Sequence, residues 1–122
     1  MRKNHKQVIG KWGEALAVDR LMALGYEIIG RNIRTPYGEI DLIAKDGNTV
    51  VFIEVKTRTV ASFGHPEEAV TKQKLAHLQD SVLSYMQEHI EITGDWRIDV
   101  IAIEGNPISP NPKVTWFENV LS

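Results

Sequence analysis

The stretch GEIDLIAKDGNTVVFIEVK at residues 38–56 decides the fold, because it has the pattern of two strands joined by a tight turn. Asp46-Gly47-Asn48 stands between two runs rich in β-branched and aromatic residues, which is a strong hairpin signal. Residues 50–53, VVFI, are apolar at both parities. The second strand should therefore be covered on both faces and lie in the middle of its sheet.

The chain on either side of this hairpin adds two helices and three strands. We predict a first helix over residues 7–24, ended by Gly25, and a second from an N-cap at Thr71 to about His89. Further strands are predicted at residues 26–34, 96–104 and 114–117. This order indicates an α/β fold with a mixed central sheet of about five strands flanked by two main helices.

Two faces of the first helix compete for the core. One face joins Val8, Trp12, Ala15, Leu16 and Ala23, but Asp19 falls in its middle. The other is mostly small and joins Gly10, Gly13, Glu14, Ala17, Leu21 and Leu24. We favour the second face, because small residues let a helix approach a sheet closely. It carries Glu14 inward.

The composition is that of one ordinary domain spanning residues 1–122, with 43% hydrophobic and 25% charged residues. The absence of cysteine excludes disulfides, thiolate zinc sites, iron-sulfur clusters and cysteine nucleophiles. No apolar run approaches the roughly 20 residues of a membrane span, and the basic start leads into no signal-peptide core. We therefore expect a cytoplasmic protein with no membrane partner.

Charge is distributed unevenly along the chain. Residues 1–74 carry 12 Lys and Arg against nine Asp and Glu, whereas residues 75–122 carry two against seven. Phosphate binding depends on local potential, so a net charge of -2 still permits a polyanion such as DNA. An uneven but merely solvated surface is the alternative interpretation.

Four polar side chains interrupt the hairpin, and strand periodicity brings them together. Side chains two residues apart lie on the same face of a strand. Glu39 and Asp41 therefore share a face of the first strand, and Glu54 and Lys56 share a face of the second. A loop at residues 46–49 would set Asp41 directly opposite Glu54. The same register sets Glu39 opposite Lys56, so that all four share a face. Three crowded carboxylates are costly without a cation, and oxygen ligands suit Mg²⁺ or Mn²⁺.

The alternative for these residues is a set of surface salt bridges on a solvated sheet face. Such bridges would pair Glu39 with Lys56 and Asp41 with Arg58. The same face also carries three apolar side chains, those of Ile43, Val50 and Phe52. The carboxylates would therefore lie at the edge of an apolar floor, which favours a binding site over a solvated surface.

A set of short motifs extends over nearly the whole chain. They are Gly13-Glu14, Gly25-Tyr26, Arg31-Asn32, GEIDLIA at 38–44, Asp46-Gly47, VFIEVKTR at 51–58, Phe63-Gly64, Ala69-Val70-Thr71, Lys74 and RIDV at 97–100. This set resembles the YraN family of small bacterial proteins. The resemblance implies a restriction-endonuclease-like fold, similar to that of archaeal Holliday-junction resolvases. It implies that Asp41, Glu54 and Lys56 form the catalytic triplet of a nuclease, and that Glu14 matches the helical glutamate of the resolvases.

The roles of these residues follow from the chemistry of phosphodiester hydrolysis, which needs a hydroxide and neutralisation of transition-state charge. The expected metal ligands are Asp41, Glu54, the Val55 carbonyl, Glu14 directly or through water, and Glu39 in reserve. Lys56 would orient or deprotonate the attacking water and stabilise developing charge. Arg58, Lys72 and Lys74 are the candidates for contacts with phosphates. The alternative is that each is an ordinary solvated charge.

We expect a metal-dependent endonuclease that acts on branched or structured DNA as a homodimer, since resolvase-like enzymes act as symmetric pairs. The alternative is a nucleic-acid- or partner-binding module that keeps the nuclease fold without turnover. Elsewhere in the chain, Asp99 interrupts an apolar strand next to Arg97, and a structural ion pair is the expected explanation.

Overall fold

The elements of the protein follow the predicted order of helix, three strands, helix and two strands. The structure, a computed structural model, describes residues 5–59, 70–108 and 110–121. Its elements are α1 (His5–Ala23), β1 (Glu27–Thr35), β2 (Gly38–Asp46), β3 (Thr49–Arg58), α2 (Lys72–Glu88), β4 (Trp96–Glu104) and β5 (Lys113–Phe117). Each lies close to its predicted range. The motif residues Phe63-Gly64 and Ala69 lie outside the described residues.

The strands form one mixed sheet in the order β1-β2-β3-β4-β5. All neighbours are antiparallel except β3 and β4, which are parallel and are separated in sequence by α2. The central strand is β3, and its residues Val50, Val51, Phe52 and Ile53 are buried, as their apolar pattern predicts. The α/β fold with a five-stranded mixed sheet and two helices is confirmed.

The hairpin of β2 and β3 has the predicted register but a tighter turn. Asp46 pairs with Thr49, so the connection is Gly47-Asn48, and Gly47 adopts a φ of 61° that favours glycine. The pairing runs from there to Leu42 opposite Ile53. Asp41 and Glu54 are the next positions beyond it, so the two carboxylates come from neighbouring strands just where the recorded pairing ends.

Two apolar layers cover the sheet, one beneath each helix. The layer beneath α1 comprises Ala17, Val18, Leu21, Leu42, Ala44, Val51, Ile53, Ile101 and Ile103. The layer beneath α2 comprises Ile40, Ile43, Val50, Phe52, Leu78, Val82 and Ile98. Burial of this much aliphatic surface is the main stabilising term for the fold.

The small face of α1 is the one that packs on the sheet, as predicted. Gly13, Ala17 and Leu21 are buried, and a Cβ at Gly13 would overlap Oγ1 of Thr57 on β3. The prediction is wrong for Leu24, which is 64% exposed. The helix ends at Ala23 and Gly25 takes a φ of 89°, so Leu24 leaves the helical periodicity.

Asp99 is a fully buried carboxylate in β4, and its predicted ion pair with Arg97 is confirmed at 3.1 Å. Trp116 Nε1 and the backbone N–H of Asn119 also donate to it, each at 2.9 Å. These donors compensate the charge for the loss of water. Asp99 therefore fastens β5 and the following segment to the sheet.

Of the two described helices, neither is long and apolar enough to cross a membrane.

Candidate functional site at the end of the β2–β3 hairpin

The Asp41 carboxylate accepts a hydrogen bond across the hairpin. Its Oδ2 receives the backbone N–H of Val55 at 2.8 Å. Ile40 and Ile43 both belong to the apolar layer beneath α2, although an uninterrupted strand would turn them to opposite faces. The alternation of β2 is therefore broken at Asp41 and Leu42, next to the end of the recorded pairing.

Two clefts flank this end of the hairpin. The α1-side cleft, with a volume of about 380 Å³, is lined by Lys6, Ile9, Gly10, Glu14, Val55, Lys56, Thr57, Arg58 and Thr59. The α2-side cleft, with a volume of about 210 Å³, is lined by Tyr37, Gly38, Glu39, Glu54, Lys74, His77, Leu78 and Ser81. The predicted single face is thus only partly correct. Glu39 and Glu54 line one cleft, whereas Lys56 lines the other.

Burial and neighbouring charge change the acidity of Asp41. Desolvation by burial is the largest effect and raises the pKa of Asp41 to about 7, against the smaller opposing effect of the Val55 N–H. The negative charges of Glu14, Glu54 and Glu39 raise this pKa further. All three predicted neighbours therefore act on Asp41, which is the electrostatic centre of the group.

Asn32 joins two of the carboxylates. Its Nδ2 donates to Glu14 Oε1 at 2.8 Å and to Glu39 Oε1 at 3.2 Å, which links α1 to the β1–β2 pair. Asn32 has a φ of 49°, a left-handed conformation that asparagine tolerates better than most residues. We did not predict this role from the sequence. The available signal was an amide residue within a predicted strand that also belongs to the Arg31-Asn32 motif.

Lys56 pairs with a carboxylate of its own strand. Lys56 Nζ lies 3.6 Å from Glu54 Oε1, and the side chains are 40% and 24% exposed. Glu39 accepts from Asn32 instead, so the cross-strand pair of Glu39 with Lys56 is not the arrangement adopted. A pair this exposed contributes little to stability, which leaves the Lys56 ammonium group available to other negative charges.

The donor set suits a hard cation, but it is not yet arranged around one. Carboxylate and carbonyl oxygens are the ligands of Mg²⁺. Among the described residues, however, no three His, Cys, Asp or Glu side chains are placed as a ready metal-binding group. Asn32 holds Glu14 and Lys56 holds Glu54. A cation would therefore have to exchange with these two nitrogen donors.

The three predicted phosphate-contacting residues occupy different places. Arg58 lines the α1-side cleft with Lys6 and Lys56, and Lys74 lines the α2-side cleft. Lys72 is exposed at the first position of α2 and belongs to neither lining. Sequence reasoning missed Lys6, Tyr37 and His77 as cleft residues, because their positions depend on how the helices pack.

Comparison with protein families now identifies the chain's relatives. The family model described as Uncharacterised protein family UPF0102 matches residues 13–103, which is most of the chain. The chain belongs to the UPF0102 family. This is the YraN family indicated by the motifs, so that resemblance is confirmed. The match includes Glu14, Asp41, Glu54 and Lys56, the residues at the end of the hairpin.

Two relatives show how far the UPF0102 similarity extends. A UPF0102 protein of Beutenbergia cavernae is 49% identical over 98 residues, which cover 80% of this chain and 83% of that protein. A UPF0102 protein of Dehalococcoides mccartyi is 40% identical over 121 residues, which cover 99% of this chain and 98% of the relative. Similarity to the second relative therefore includes β5 and the residues that follow it.

A solved structure is also similar to the UPF0102 chain. It is that of Pyrococcus furiosus SfsA in complex with Ca²⁺, which matches with a TM-score of 0.41 and 13% sequence identity. The match covers 93% of this chain but 63% of SfsA, so this chain spans less than two thirds of that protein.

Proposed function

We propose that this UPF0102 protein is a metal-dependent endonuclease that hydrolyses phosphodiester bonds of branched or structured DNA. The observation that carries the proposal is the Asp41 carboxylate, held at the end of the hairpin with its pKa raised to about 7 by burial and by three further carboxylates. Such an arrangement opposes folding unless a cation or proton compensates it. Carboxyl groups whose pKa is strongly shifted by burial and by neighbouring charges are typical of functional sites.

The cation in this proposal is Mg²⁺, with Mn²⁺ as a substitute. Asp41 and Glu54 would hold it with the Val55 carbonyl, Glu14 would join directly or through water, and Glu39 stays in reserve. When bound, the ion would neutralise negative charge in the transition state and lower the pKa of a water molecule that it holds. The broken alternation at Asp41 supports this assignment, because it brings a carboxylate to the Val55 peptide.

The chain's own residues provide the remaining chemistry. Lys56 lies beside Glu54 and presents a half-exposed ammonium group at the α1-side cleft. There it orients or deprotonates the attacking water and stabilises negative charge as it develops on the phosphate. Arg58 and Lys74 line the two clefts and contact flanking phosphates, and Lys72 adds a more distant contact.

A second function is favoured by one observation. The described residues contain no ready metal-binding group, and Asn32 and Lys56 already satisfy three of the carboxylates. A nucleic-acid- or partner-binding module without turnover would need no metal ion, and its carboxylates could keep Asn32 and Lys56 as their partners. The two functions differ in whether Asn32 and Lys56 yield their partners to a cation.

A cleavage assay separates the two functions. Linear, single-stranded and four-way-junction DNA are incubated with the protein in Mg²⁺, Mn²⁺ or EDTA. We expect cleavage of the junction in either metal and its loss in EDTA and in Glu54→Gln. The matched control is Glu88→Gln, the same chemical change at an exposed position on α2. Junction binding without cleavage by the parent would establish the binding module instead.

A further inference from the structure

The α2-side cleft is lined by an aromatic ring and an imidazole, those of Tyr37 and His77, that the proposed hydrolysis does not use. Tyr37 is 57% exposed and lies on the cleft wall next to Glu39. On the opposite wall, α2 contributes Lys74 and His77. An aromatic ring beside nitrogen donors differs from the purely polar lining that metal binding requires.

The turn that carries Tyr37 is held rigidly. Thr35 Oγ1 accepts the backbone N–H of Tyr37 at 3.1 Å and donates to the Gly38 carbonyl at 2.8 Å. Pro36 restricts its own φ, and Gly38 takes a φ of 140° that other residues rarely adopt. The Tyr37 backbone is therefore fixed before any ligand arrives, which lowers the entropic cost of using its ring for binding.

The α2 wall presents its two donors together. Lys74 and His77 are three residues apart, so they lie on the same face of the helix. Thr71 caps this first turn by accepting the backbone N–H of Lys74 at 3.2 Å. The cleft volume of about 210 Å³ is smaller than the roughly 300–1,000 Å³ typical of ligand pockets. A cleft of this size excludes a duplex and admits one base, with the attached phosphate at the mouth of the cleft.

We propose that the α2-side cleft binds an unpaired nucleotide of a DNA strand, with its base stacked on Tyr37 and its phosphate contacted by Lys74 and His77. A nucleotide combines the flat ring and the anion that these walls complement, and stacking on an aromatic residue is a general means of binding single strands. This inference rests on the proposed function and specifies its substrate. The strand that enters the site has an unpaired base next to the Glu39 and Glu54 carboxylates.

Fluorescence of 2-aminopurine in a single-stranded oligonucleotide tests the stacking directly, in EDTA so that no metal-dependent cleavage occurs. Binding to the parent should quench the probe. Tyr37→Ala should remove most of the quenching and raise Kd about tenfold or more, the scale of one lost base stack. Tyr37→Phe should keep both within about twofold. Ile90→Ala, an apolar truncation at a residue that is 84% exposed and belongs to neither cleft lining, should match the parent.

Several outcomes would overturn the inference. They are parent-like quenching and Kd in Tyr37→Ala, no binding of the oligonucleotide by the parent, and equal affinity for the fully paired duplex. Equal affinity for the free 2-aminopurine deoxynucleotide would also overturn it, because a strand would then not be required. Glu54→Gln should lose cleavage in Mg²⁺, whereas Ile90→Ala should keep both the quenching and the cleavage. Tyr37-dependent quenching by a parent that never cleaves would support the inference and reject the nuclease function.

Discussion

Asp41 faces two opposing demands at one carboxyl group. The Val55 N–H favours its charged form, whereas burial and three nearby carboxylates favour its neutral form and prevail. The folded protein therefore binds a proton at Asp41 more tightly than the unfolded chain does. By linkage, this group makes the protein most stable below its ordinary pKa of 3.8, and the stability is lost as pH rises through about 7.

The first prediction concerns the pH dependence of stability in Asp41→Asn. The amide can still accept the Val55 N–H but carries no charge. Without metal at pH 8, the variant should exceed the parent in free energy of unfolding by about 0.5–2 kcal/mol, the scale of a stability-activity trade-off. At pH 5 the advantage should be smaller, because Asp41 is then protonated in the folded parent, and it should vanish only below about pH 3.8, where the unfolded chain is protonated as well. Urea denaturation at both pH values measures this difference.

Asp80→Asn is the control for that comparison, because Asp80 is exposed on α2. It should follow the parent at both pH values. An Asp41→Asn variant that is less stable than the parent at pH 8 would show instead that the carboxylate stabilises the fold through its hydrogen bond.

At this scale the sequence predicts the charged residues of the site better than their partners. Asp41 and Glu54 come from adjacent strands, so hairpin periodicity and a tight turn are sufficient to place them. Asn32 was missed because its role needs a left-handed backbone conformation and the docking of α1. Tyr37 was missed because an aromatic residue in a turn has no periodic pattern that marks it as exposed.

Among the elements, the contact of α1 with β3 gives the second prediction. Gly13→Ala introduces a Cβ that overlaps Thr57 Oγ1, so it should destabilise the protein by roughly 1–3 kcal/mol despite alanine's higher helix propensity. Gly10→Ala lies in the same helix with nothing within 4 Å of the new Cβ. It should be neutral or stabilising by up to about 1 kcal/mol. Thermal melts of the two variants give the comparison.

A double substitution tests whether the clash is the cause. Gly13→Ala combined with Thr57→Ala removes the overlapping hydroxyl and should recover part of the lost stability. Equal destabilisation in the single and double variants would mean that another contact of the helix is responsible.

The type and order of the elements were predictable because each depends on local pattern. Two departures depend on non-local geometry. Leu24 follows the helical stripe in sequence, but the helix has already ended at Ala23. The register of β1 against β2 shifts between Ile28 and Gly30. Gly30 was the available signal, because a glycine inside a strand often marks a bulge. Which residues then pair across the bulge depends on tertiary packing, which a single sequence does not display.

For the molecule as a whole, the third prediction concerns metal-dependent stability. Mg²⁺ should raise the melting temperature of the parent but not of Asp41→Asn or Glu54→Gln, because only the parent offers the full carboxylate set. The stabilisation follows RT ln(1 + [L]/Kd), or about 2.7 kcal/mol at a hundredfold excess over Kd. Glu88→Gln should respond as the parent does. Two results together would contradict this prediction: the melting temperature of the parent does not change in Mg²⁺, and the variants melt at lower temperatures than the parent in EDTA. The carboxylates would then form a structural ion-pair network.

The fourth prediction concerns assembly. Two strands must be cut in a branched substrate, and a symmetric pair of chains would present two sites together. We therefore expect static light scattering at micromolar concentration to give twice the mass of one chain. A monomer that also stays monomeric on junction DNA would favour the binding-module function.

The mixed topology of the sheet has a kinetic consequence. The β2–β3 hairpin closes through Gly47-Asn48, and hairpins form in about 1–10 μs. Parallel pairing of β3 with β4 must wait for closure of the segment that contains α2, which is slower. Asp41 and Glu54 should therefore meet early, while water still screens their repulsion. The free-energy cost of bringing these carboxylates out of water therefore arises late in folding, when α1 and α2 dock and the partly assembled site loses that water.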